Sequence, residues 1–321
     1  MKKIKILYFT VDLSDYTFKN REYFKRVLAE HPDVLVHFVK NGGHVNDIIK
    51  KLQFSPDFIY IDDYKKIVKH GKPILGLDSI RVPKGIMQVD LHRYRKKFTK
   101  FVLKNKFDVI FSYYRDAFYQ YYPHFADKFR WLPQHVYTSV FKDYKLKKTI
   151  DYLLMGQIDS NYPLRSRIAQ DMSGKPGFVH HKHPGYRNFS DKEQKTLFLN
   201  DTYAKEINRA KIFLTDDSVY HYPLGKYFEV AASNTLLLAS GSGELRDLGF
   251  IDKETFVEIN ENNFHTKAKY YLRHTEERKK IALRGYQLIR KRHTTEIRVG
   301  QFIDYIRALI GSTGRTGREN I

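Results

Sequence analysis

The chain has 321 residues, no cysteine and a formal net charge of 57 − 36 = +21. Its length suits two domains of roughly 150 residues each, and the lack of cysteine excludes disulfides and thiolate chemistry, which fits a cytoplasmic protein. No run of eighteen apolar residues is present, and the apolar run 6–11 is too short for a signal peptide, so the sequence predicts no transmembrane segment.

The positive charge is concentrated in the first half of the chain. Residues 1–145 carry 28 basic and 15 acidic side chains, a surplus of 13, whereas residues 146–321 carry 29 and 21, a surplus of 8. A field of this sign attracts polyanions such as nucleic acid or anionic lipid headgroups, and it helps to hold a phosphorylated substrate. A lysine-rich composition without such a partner is the alternative explanation.

Apolar segments with strand and helix periods alternate through the first hundred residues. The predicted strands are 3–11, 34–40, 57–61, 73–77 and 85–89, and the predicted helices are 18–30 and 45–54. This rhythm indicates a doubly wound parallel sheet. No G-x-G-x-x-G follows the first strand, so the dinucleotide fingerprint is absent.

A strongly basic helix is predicted over residues 91–106. Its apolar stripe is Leu91, Tyr94, Phe98, Phe101 and Val102, and its seven cations face no acid on the same helix. Such a helix fits an ordinary surface helix, a contact with a membrane surface or a contact with a phosphate backbone. The predicted polyanion contacts are Arg95, Lys96, Lys97 and Lys100.

The second half repeats the alternation after a strand over 107–112 and a polar linker over 142–149. The predicted strands are 150–155, 212–215, 235–239 and 256–260, and the predicted helices begin near 163, 203, 223, 263 and 276. The predicted domains are 1–145 and 146–293, followed by a helix over 294–310 and a flexible tail over 311–321.

Several side chains of the second half suit a phosphorylated ligand. Gly156 follows a strand and lets backbone approach a diphosphate, while Arg165 has a guanidinium that can fork onto phosphate oxygens. Lys226 and Glu229 lie one turn apart on a helix whose N-terminus favours anions. A turn glycine, a solvated arginine and a solvated glutamate are the ordinary alternatives. The three histidines of 180–183 lack a third convergent ligand, so no metal is predicted.

The stretch KYFEVAASNTLLL at 226–238 resembles the donor-binding region of nucleotide-sugar glycosyltransferases with the two-domain GT-B fold. It is most similar to the group that includes the spore-maturation CgeB-like proteins, whose pattern is R-x-F-E-x-x-A-x-G-x-L-L-L. Lys226 replaces the arginine and Asn234 replaces the glycine. Further motifs of the group occur in order over roughly 107–305: WLP at 131–133, YPLR at 162–165 and HKHPGY at 181–186.

The resemblance implies an α/β fold of two Rossmann-like doubly wound domains that face a cleft, the first binding the acceptor and the second the donor. It also implies that the helix over 294–310 crosses back to the first domain. It implies that Glu229 holds the ribose hydroxyls. The nucleotide-sugar site would be Gly156, Arg165, His183, Tyr186, Lys226 and Glu229, with a UDP- or GDP-sugar as the donor and no bound cofactor. The absence of a D-x-D motif fits metal-independent transfer.

The acceptor hydroxyl requires a carboxylate or histidine that takes its proton. The candidates from the first domain are Asp12, Asp15, Asp78, and Asp90 with His92, each of which also fits a helix N-cap or a solvated loop. Many retaining members of the resembled group carry a glutamate eight residues before Glu229, where this chain has His221. The predicted catalytic residues are Asp12, Asp90 and His221, and the stereochemistry stays open.

Three functions therefore remain at the level of sequence. The first is a glycosyltransferase that modifies a surface glycan, a lipid-linked sugar or a protein, in the cytoplasm or peripheral at the inner membrane surface. The second is a glycosyltransferase of modified DNA bases, and the third is an inactive GT-B scaffold that binds polyanions.

Overall fold

The structure is a computed structural model that describes the backbone of residues 2–316 and the side chains of residues 2–311. The strands are β1 (Ile4–Phe9), β2 (Val34–Val39), β3 (Gly43–His44), β4 (Phe58–Ile61), β5 (Ile74–Leu75), β6 (Lys84–Met87), β7 (Val109–Ser112), β8 (Phe129–Trp131), β9 (Ile150–Gly156), β10 (Phe178–Lys182), β11 (Ala210–Leu214), β12 (Leu236–Ala239) and β13 (Val257–Glu258).

The helices alternate with these strands along the chain. They are α1 (Asn20–Glu30), α2 (Val45–Lys50), α3 (Arg95–Lys104), α4 (Arg115–Tyr121), α5 (Pro163–Met172), α6 (Asp191–Thr196), α7 (Asn200–Arg209), α8 (Gly225–Ala232), α9 (Gly243–Asp247), α10 (Phe264–Arg273), α11 (Thr275–Arg292) and α12 (Thr295–Thr316). A π-helix spans Tyr64–Lys69, and short 3₁₀ helices span Leu77–Ser79 and Pro123–Phe125.

The chain divides into two compact units. Unit 1 contains Met1–Asp12, Glu22–Pro133 and Arg298–Ile321, and unit 2 contains Leu13–Arg21 and Gln134–Ile297. Residues 13–21 thus belong to unit 2 although both of their flanks belong to unit 1. The predicted domain boundaries after 145 and 293 stay a prediction.

Unit 1 is built on a six-stranded parallel sheet with the order β2-β1-β4-β6-β7-β8. The central strands are buried on both faces, which their continuous apolar sequences require. The last helix, α12, packs Phe302 against aromatic rings of this core, namely Phe24, Phe58, Tyr60 and Phe111.

Unit 2 is built on a five-stranded parallel sheet with the order β10-β9-β11-β12-β13. Its core joins apolar side chains of the strands to α5, α10 and α11, including Leu154, Ile212, Leu214, Ile168 and Ile281. Because the chain leaves β9 toward β10 and then returns to β11 on the other side, the order reverses between β9 and β11. In open α/β sheets, ligands bind at the carboxyl ends of strands at such a reversal.

Among the departures of the structure from the sequence prediction in unit 1, three concern residues 64–95. The predicted strand 73–77 is reduced to β5, which pairs with β3 in a separate two-stranded sheet, and Gly76 ends it in the left-handed region with φ +78°. The basic helix begins at Arg95 rather than at 91, because Tyr94 has φ +54°. The segment 64–69, for which no element is predicted, forms the π-helix.

The final helix extends six residues beyond the predicted end at 310, to Thr316. The rest of the predicted tail, 317–321, lies outside the described residues. Within residues 2–316, no helix has both the length and the apolar character needed to cross a membrane.

Candidate functional site

The candidate site lies in unit 2, where the order of its sheet reverses between β9 and β11. Gly156 ends β9 with φ +139°. A Cβ atom built on this glycine would lie 2.8 Å from Nη1 of Arg165 and 2.8 Å from Cε of Lys226. The absence of a side chain at 156 therefore allows two cations to approach the end of β9.

Arg165 is positioned by the first turn of α5, which opens at Pro163, a residue suited to the first helical position. The residue is only 1% exposed, and its Nη1 donates to the carbonyl oxygen of Gln157 at 2.8 Å. Its Nη2 lies 3.0 Å from Oδ1 of Asp216, and its backbone N–H donates to Oδ2 of the same carboxylate at 3.0 Å. Burial raises the pKa of Asp216. Because protein oxygens already hold the guanidinium, a direct fork from Arg165 onto phosphate stays a prediction.

Lys226 and Glu229 lie on the first turns of α8, which begins at Gly225, two residues after the proline predicted to open it. Nζ of Lys226 donates to the hydroxyl of Tyr203 at 3.1 Å, and this hydroxyl donates to Oε2 of Glu229 at 3.3 Å. The three side chains therefore form a relay from the ammonium through the phenol to the carboxylate.

The relay is set in a poorly hydrated environment. Glu229 is 4% exposed, so the alternative that it is a solvated helix residue is wrong. Burial raises the pKa of Glu229, and burial together with the charge of Arg165 lowers the pKa of Lys226 to about 8 against the opposing effect of Glu229. Within the described part of the chain, Oε1 of Glu229 has no hydrogen-bond partner and remains able to accept one.

Tyr203 and Asp216 are the members of this cluster that sequence reasoning missed. Tyr203 comes from α7 and belongs to the apolar stripe of that helix, so its pattern predicts only a core contact. Asp216 follows β11, where a loop acid is commonplace. The order reversal of the sheet is the signal that would have singled out Asp216, since it marks the loops after β9 and β11 together.

The predicted residues His183 and Tyr186 border the same cluster. Nδ1 of His183 accepts a hydrogen bond from the backbone N–H of Gly185 at 3.0 Å, and its ring centroid lies 4.6 Å from that of Tyr186. Burial, followed by the charges of Lys226 and Arg165, lowers the pKa of His183 to about 4. This imidazole is therefore neutral near pH 7, and Nδ1 as acceptor leaves the proton on Nε2.

The segment Leu13–Arg21 reaches the site from a distant part of the sequence. A Cβ atom on Gly225 would lie 3.2 Å from the ring of Phe18 and 3.7 Å from Oε1 of Glu229. The segment is fixed in unit 2 by hydrogen bonds from Thr17 Oγ1 to the carbonyl oxygen of Gly185 at 2.5 Å and from the N–H of Phe189 to the carbonyl oxygen of Asp15 at 2.8 Å. Phe18 is thus a further wall of the site.

The predicted catalytic residue His221 is held by a buried carboxylate. Its Nδ1 lies 3.0 Å from Oδ2 of Asp217, and Oδ1 of Asp217 accepts a hydrogen bond from the Ser240 hydroxyl at 2.7 Å. The imidazole is 77% exposed, and the backbone of His221 is left-handed with φ +52°. Asp216 and Asp217 therefore hold Arg165 and His221, respectively, from consecutive positions after β11.

The other two predicted catalytic residues lie in unit 1. Asp12 forms an ion pair with Lys40 at 2.6 Å, and Asp90 forms one with Lys65 at 2.6 Å. In each case the lysine ammonium occupies one oxygen of the carboxylate. Sequence reasoning passed over Asp62, which is buried and accepts hydrogen bonds from two hydroxyls.

The remaining acid candidates and the histidines are dispersed. Asp78 lies in an exposed 3₁₀ turn, and Asp15 accepts a hydrogen bond from Gln194 in unit 2. Nε2 of His181 lies 2.8 Å from Oε1 of Glu206. In the portion of the chain that the structure describes, no group of three histidine or acidic side chains is arranged to hold a metal ion.

The predicted polyanion contacts lie on α3 in unit 1. Lys96, Lys97 and Lys100 are exposed. Arg95 instead donates from Nη2 to the carbonyl oxygen of Tyr121 at 3.1 Å, with its guanidinium 5.0 Å from the centre of the tyrosine ring. Arg95 therefore makes a packing contact between α3 and α4 and is less available to a polyanion than the three lysines.

Comparisons with known proteins add to this geometry. Residues 165–304, which are 140 of the 321 residues, match the sequence model of a family described as glycosyl transferase-like. No protein with a curated description matches the chain. The structure is similar to sucrose-phosphate synthase of Thermosynechococcus elongatus, with 13% identity, 97% of this chain and 100% of the other covered, and a TM-score of 0.67.

Two further solved structures are similar over nearly the whole chain. HepE of Anabaena, solved with UDP and glucose, has 11% identity, covers 95% of this chain and 100% of its own, and has a TM-score of 0.66. A glycosyltransferase of Rickettsia africae has 11% identity, covers 97% and 99%, and has a TM-score of 0.63. At such identities the likeness shows the fold, and the predicted α/β architecture with the GT-B fold is confirmed.

Proposed function

We propose that this chain transfers a sugar from a nucleoside-diphosphate sugar to an acceptor hydroxyl, with the donor bound by unit 2. The family match and the fold support sugar transfer. HepE has been solved in complex with UDP-glucose, which supports a UDP-sugar as the first donor to test and a GDP-sugar as the second. The closer relationship to the CgeB-like group is part of this proposal.

The observation that carries the proposal is the relay of Lys226, Tyr203 and Glu229. Glu229 is a buried residue, but its Oε1 accepts no hydrogen bond from the described residues and is not fully enclosed, so a ligand can reach it. A pair of ribose hydroxyls would supply hydrogen bonds to that oxygen. The ammonium beside it and the N-terminus of α8 favour a diphosphate.

The transfer step requires the bond between the anomeric carbon and the diphosphate oxygen to break, with the electron pair leaving on the diphosphate. Lys226 stabilises that developing charge, and Arg165 adds a fixed positive charge next to Gly156. A new bond forms between the anomeric carbon and the acceptor oxygen, whose proton passes to a base. We propose that these cations make the reaction metal-independent, so that a chelator leaves the rate unchanged.

We assign the base to His221 rather than to Asp12 or Asp90. Oδ2 of Asp217 lies 3.0 Å from Nδ1, an arrangement that directs the Nδ1–H tautomer to the carboxylate and leaves Nε2 to accept a proton, and the imidazole is exposed. The two aspartates are each paired with a lysine. A surface glycan, a lipid-linked sugar or a protein on the cytoplasmic side is the acceptor that we propose.

Isothermal titration calorimetry with UDP, UDP-glucose, GDP and GDP-mannose tests the donor site. We expect binding of at least one diphosphate and a loss of affinity in Glu229→Gln, while the matched variant Glu276→Gln, at an exposed position of α11, keeps the wild-type affinity. Release of the nucleoside diphosphate from the bound sugar nucleotide then tests the chemistry. Absence of binding by all four ligands to the folded protein would refute the proposal.

A further inference from the structure

The exposed side of α3 in unit 1 carries an unusual combination of charge and apolar surface. Position 100 has exposed neighbours three or four residues away at 96, 97, 103 and 104, so these five side chains share one surface of the helix. We call this surface the basic face; it consists of Lys96, Lys97, Lys100, Leu103 and Lys104. Leu103 is 60% exposed among the four lysines.

The opposite side of α3 is fixed in the unit, so the basic face has a defined orientation. Phe98 and Val102 are buried, and the ring of Phe98 lies 5.0 Å from that of Tyr64 in the π-helix. The lysines of the basic face thus project from a packed helix.

The elements beside α3 add cations and amphipathic rings. From the π-helix, Nζ of Lys69 lies 5.6 Å from the centre of the Tyr94 ring, and Nε2 of His70 lies 3.3 Å from the Tyr94 hydroxyl. From the other side, Tyr121 lies against Arg95. The helix α3 contains no acidic residue, so its lysines are not neutralised within the helix.

We propose that the basic face docks on an anionic lipid surface. The ammonium groups contact headgroup phosphates while the lysine stems lie along the interface. Leu103 enters the boundary between headgroups and acyl chains, which removes an exposed apolar side chain from water. Charge alone would suit a nucleic acid equally well, but a phosphate backbone offers no apolar partner for Leu103.

Co-sedimentation with vesicles tests this docking independently of donor binding. The wild type is expected to bind vesicles that contain phosphatidylglycerol and to remain in solution with pure phosphatidylcholine. Attraction of about fivefold per cation predicts a loss of about a hundredfold or more when Lys96, Lys97, Lys100 and Lys104 are changed to Gln.

A matched variant controls for net charge. Changing Lys253, Lys269, Lys280 and Lys291 to Gln removes four charges from exposed positions of unit 2. We expect this control to keep vesicle binding within about threefold of wild type, because none of these four lysines belongs to the basic face. An equal loss in both variants would overturn the proposal by showing that total charge suffices.

Leu103→Ser separates a lipid surface from a nucleic acid. We expect several-fold weaker vesicle binding with an unchanged thermal midpoint, since the side chain is exposed. Unchanged vesicle binding by Leu103→Ser would overturn the docking geometry. Retention of a short duplex DNA in a gel shift, lost in the basic-face variant, together with no binding to phosphatidylglycerol vesicles, would overturn the lipid surface in favour of nucleic acid.

Discussion

The pH dependence of UDP binding is the most direct test of the role of Lys226. Burial lowers the pKa of this ammonium to about 8. A lysine with that pKa is about nine-tenths protonated near pH 7 and about one-tenth protonated near pH 9. A bound diphosphate raises the pKa of Lys226, so the complex retains a proton that the free protein loses. The affinity for UDP therefore has its full value well below the pKa of about 8 and falls as the pH rises through this value.

The expected loss follows from these fractions. Between about pH 7 and about pH 9, UDP affinity falls about tenfold, because the free protein must regain a proton to bind. Lys226→Gln removes a charge-assisted hydrogen bond and costs about 1.5–3 kcal/mol of binding free energy near pH 7. The affinity of this variant no longer depends on pH in that range. Calorimetry in buffers of matched ionic strength measures both effects.

Lys148 provides the matched control for this experiment. Burial lowers its pKa to about 8 as well, and its Nζ donates to the carbonyl oxygens of Asn208 and Ala210 and to Thr235 Oγ1. These partners lie at the amino ends of β11 and β12, away from the candidate site. Lys148→Gln should keep the pH dependence of UDP affinity. If UDP affinity still depends on pH in Lys226→Gln, or no longer does so in Lys148→Gln, the assignment of the pH dependence to Lys226 would be refuted.

Three further predictions concern the same cluster. Glu229→Gln should remove the preference for UDP over 2′-deoxy-UDP, with a loss of about 1.5–3 kcal/mol for the ribonucleotide in calorimetry; an undiminished preference would contradict ribose binding by Glu229. Gly156→Ala should lower the free energy of unfolding by about 1–3 kcal/mol and weaken UDP binding, because its Cβ would meet Arg165 and Lys226. Urea unfolding measures the first effect and calorimetry the second. Wild-type values for both would show that the close approach of the two cations to residue 156 is not required. Arg165→Ala should lower the free energy of unfolding by about 3–5 kcal/mol, because it leaves Asp216 unpaired. Urea unfolding that matches wild type would show that the buried ion pair contributes little to stability.

Secondary structure could be predicted from the sequence wherever a segment follows a single hydrophobic pattern, that of a strand or that of a helix. The strands β1, β9 and β12 are nearly continuous apolar runs, which identifies them as buried without knowledge of their neighbours. Lys226 and Glu229 could be paired because three residues of helix place them on one side. The strand predicted at 73–77 failed because an apolar run of that length does not reveal which sheet it joins.

The site could be predicted only in part, because its other contacts join segments distant in sequence. Glu229 is hydrogen-bonded to Tyr203 from α7, and Phe18 from the segment after β1 lies beside Gly225, and neither contact leaves a local pattern. Arg165 was correctly singled out by its type and position, but its ion pair with Asp216 depends on the order of the strands. Loop acids such as Asp12 and Asp90 could not be distinguished from one another before their lysine partners were known.

The route of the chain between its two units limits how the protein can be divided. Because residues 13–21 belong to unit 2, the polypeptide passes from one unit to the other after 12, 21, 133 and 297. A fragment limited to 134–297 would lack Phe18 beside Gly225 and Thr17 beside Gly185. Exchange of the C-terminal half with that of a protein of the same fold at a single crossover would therefore separate the candidate site from Phe18. Chimaeras that retain donor affinity should need the short N-terminal segment from the same parent.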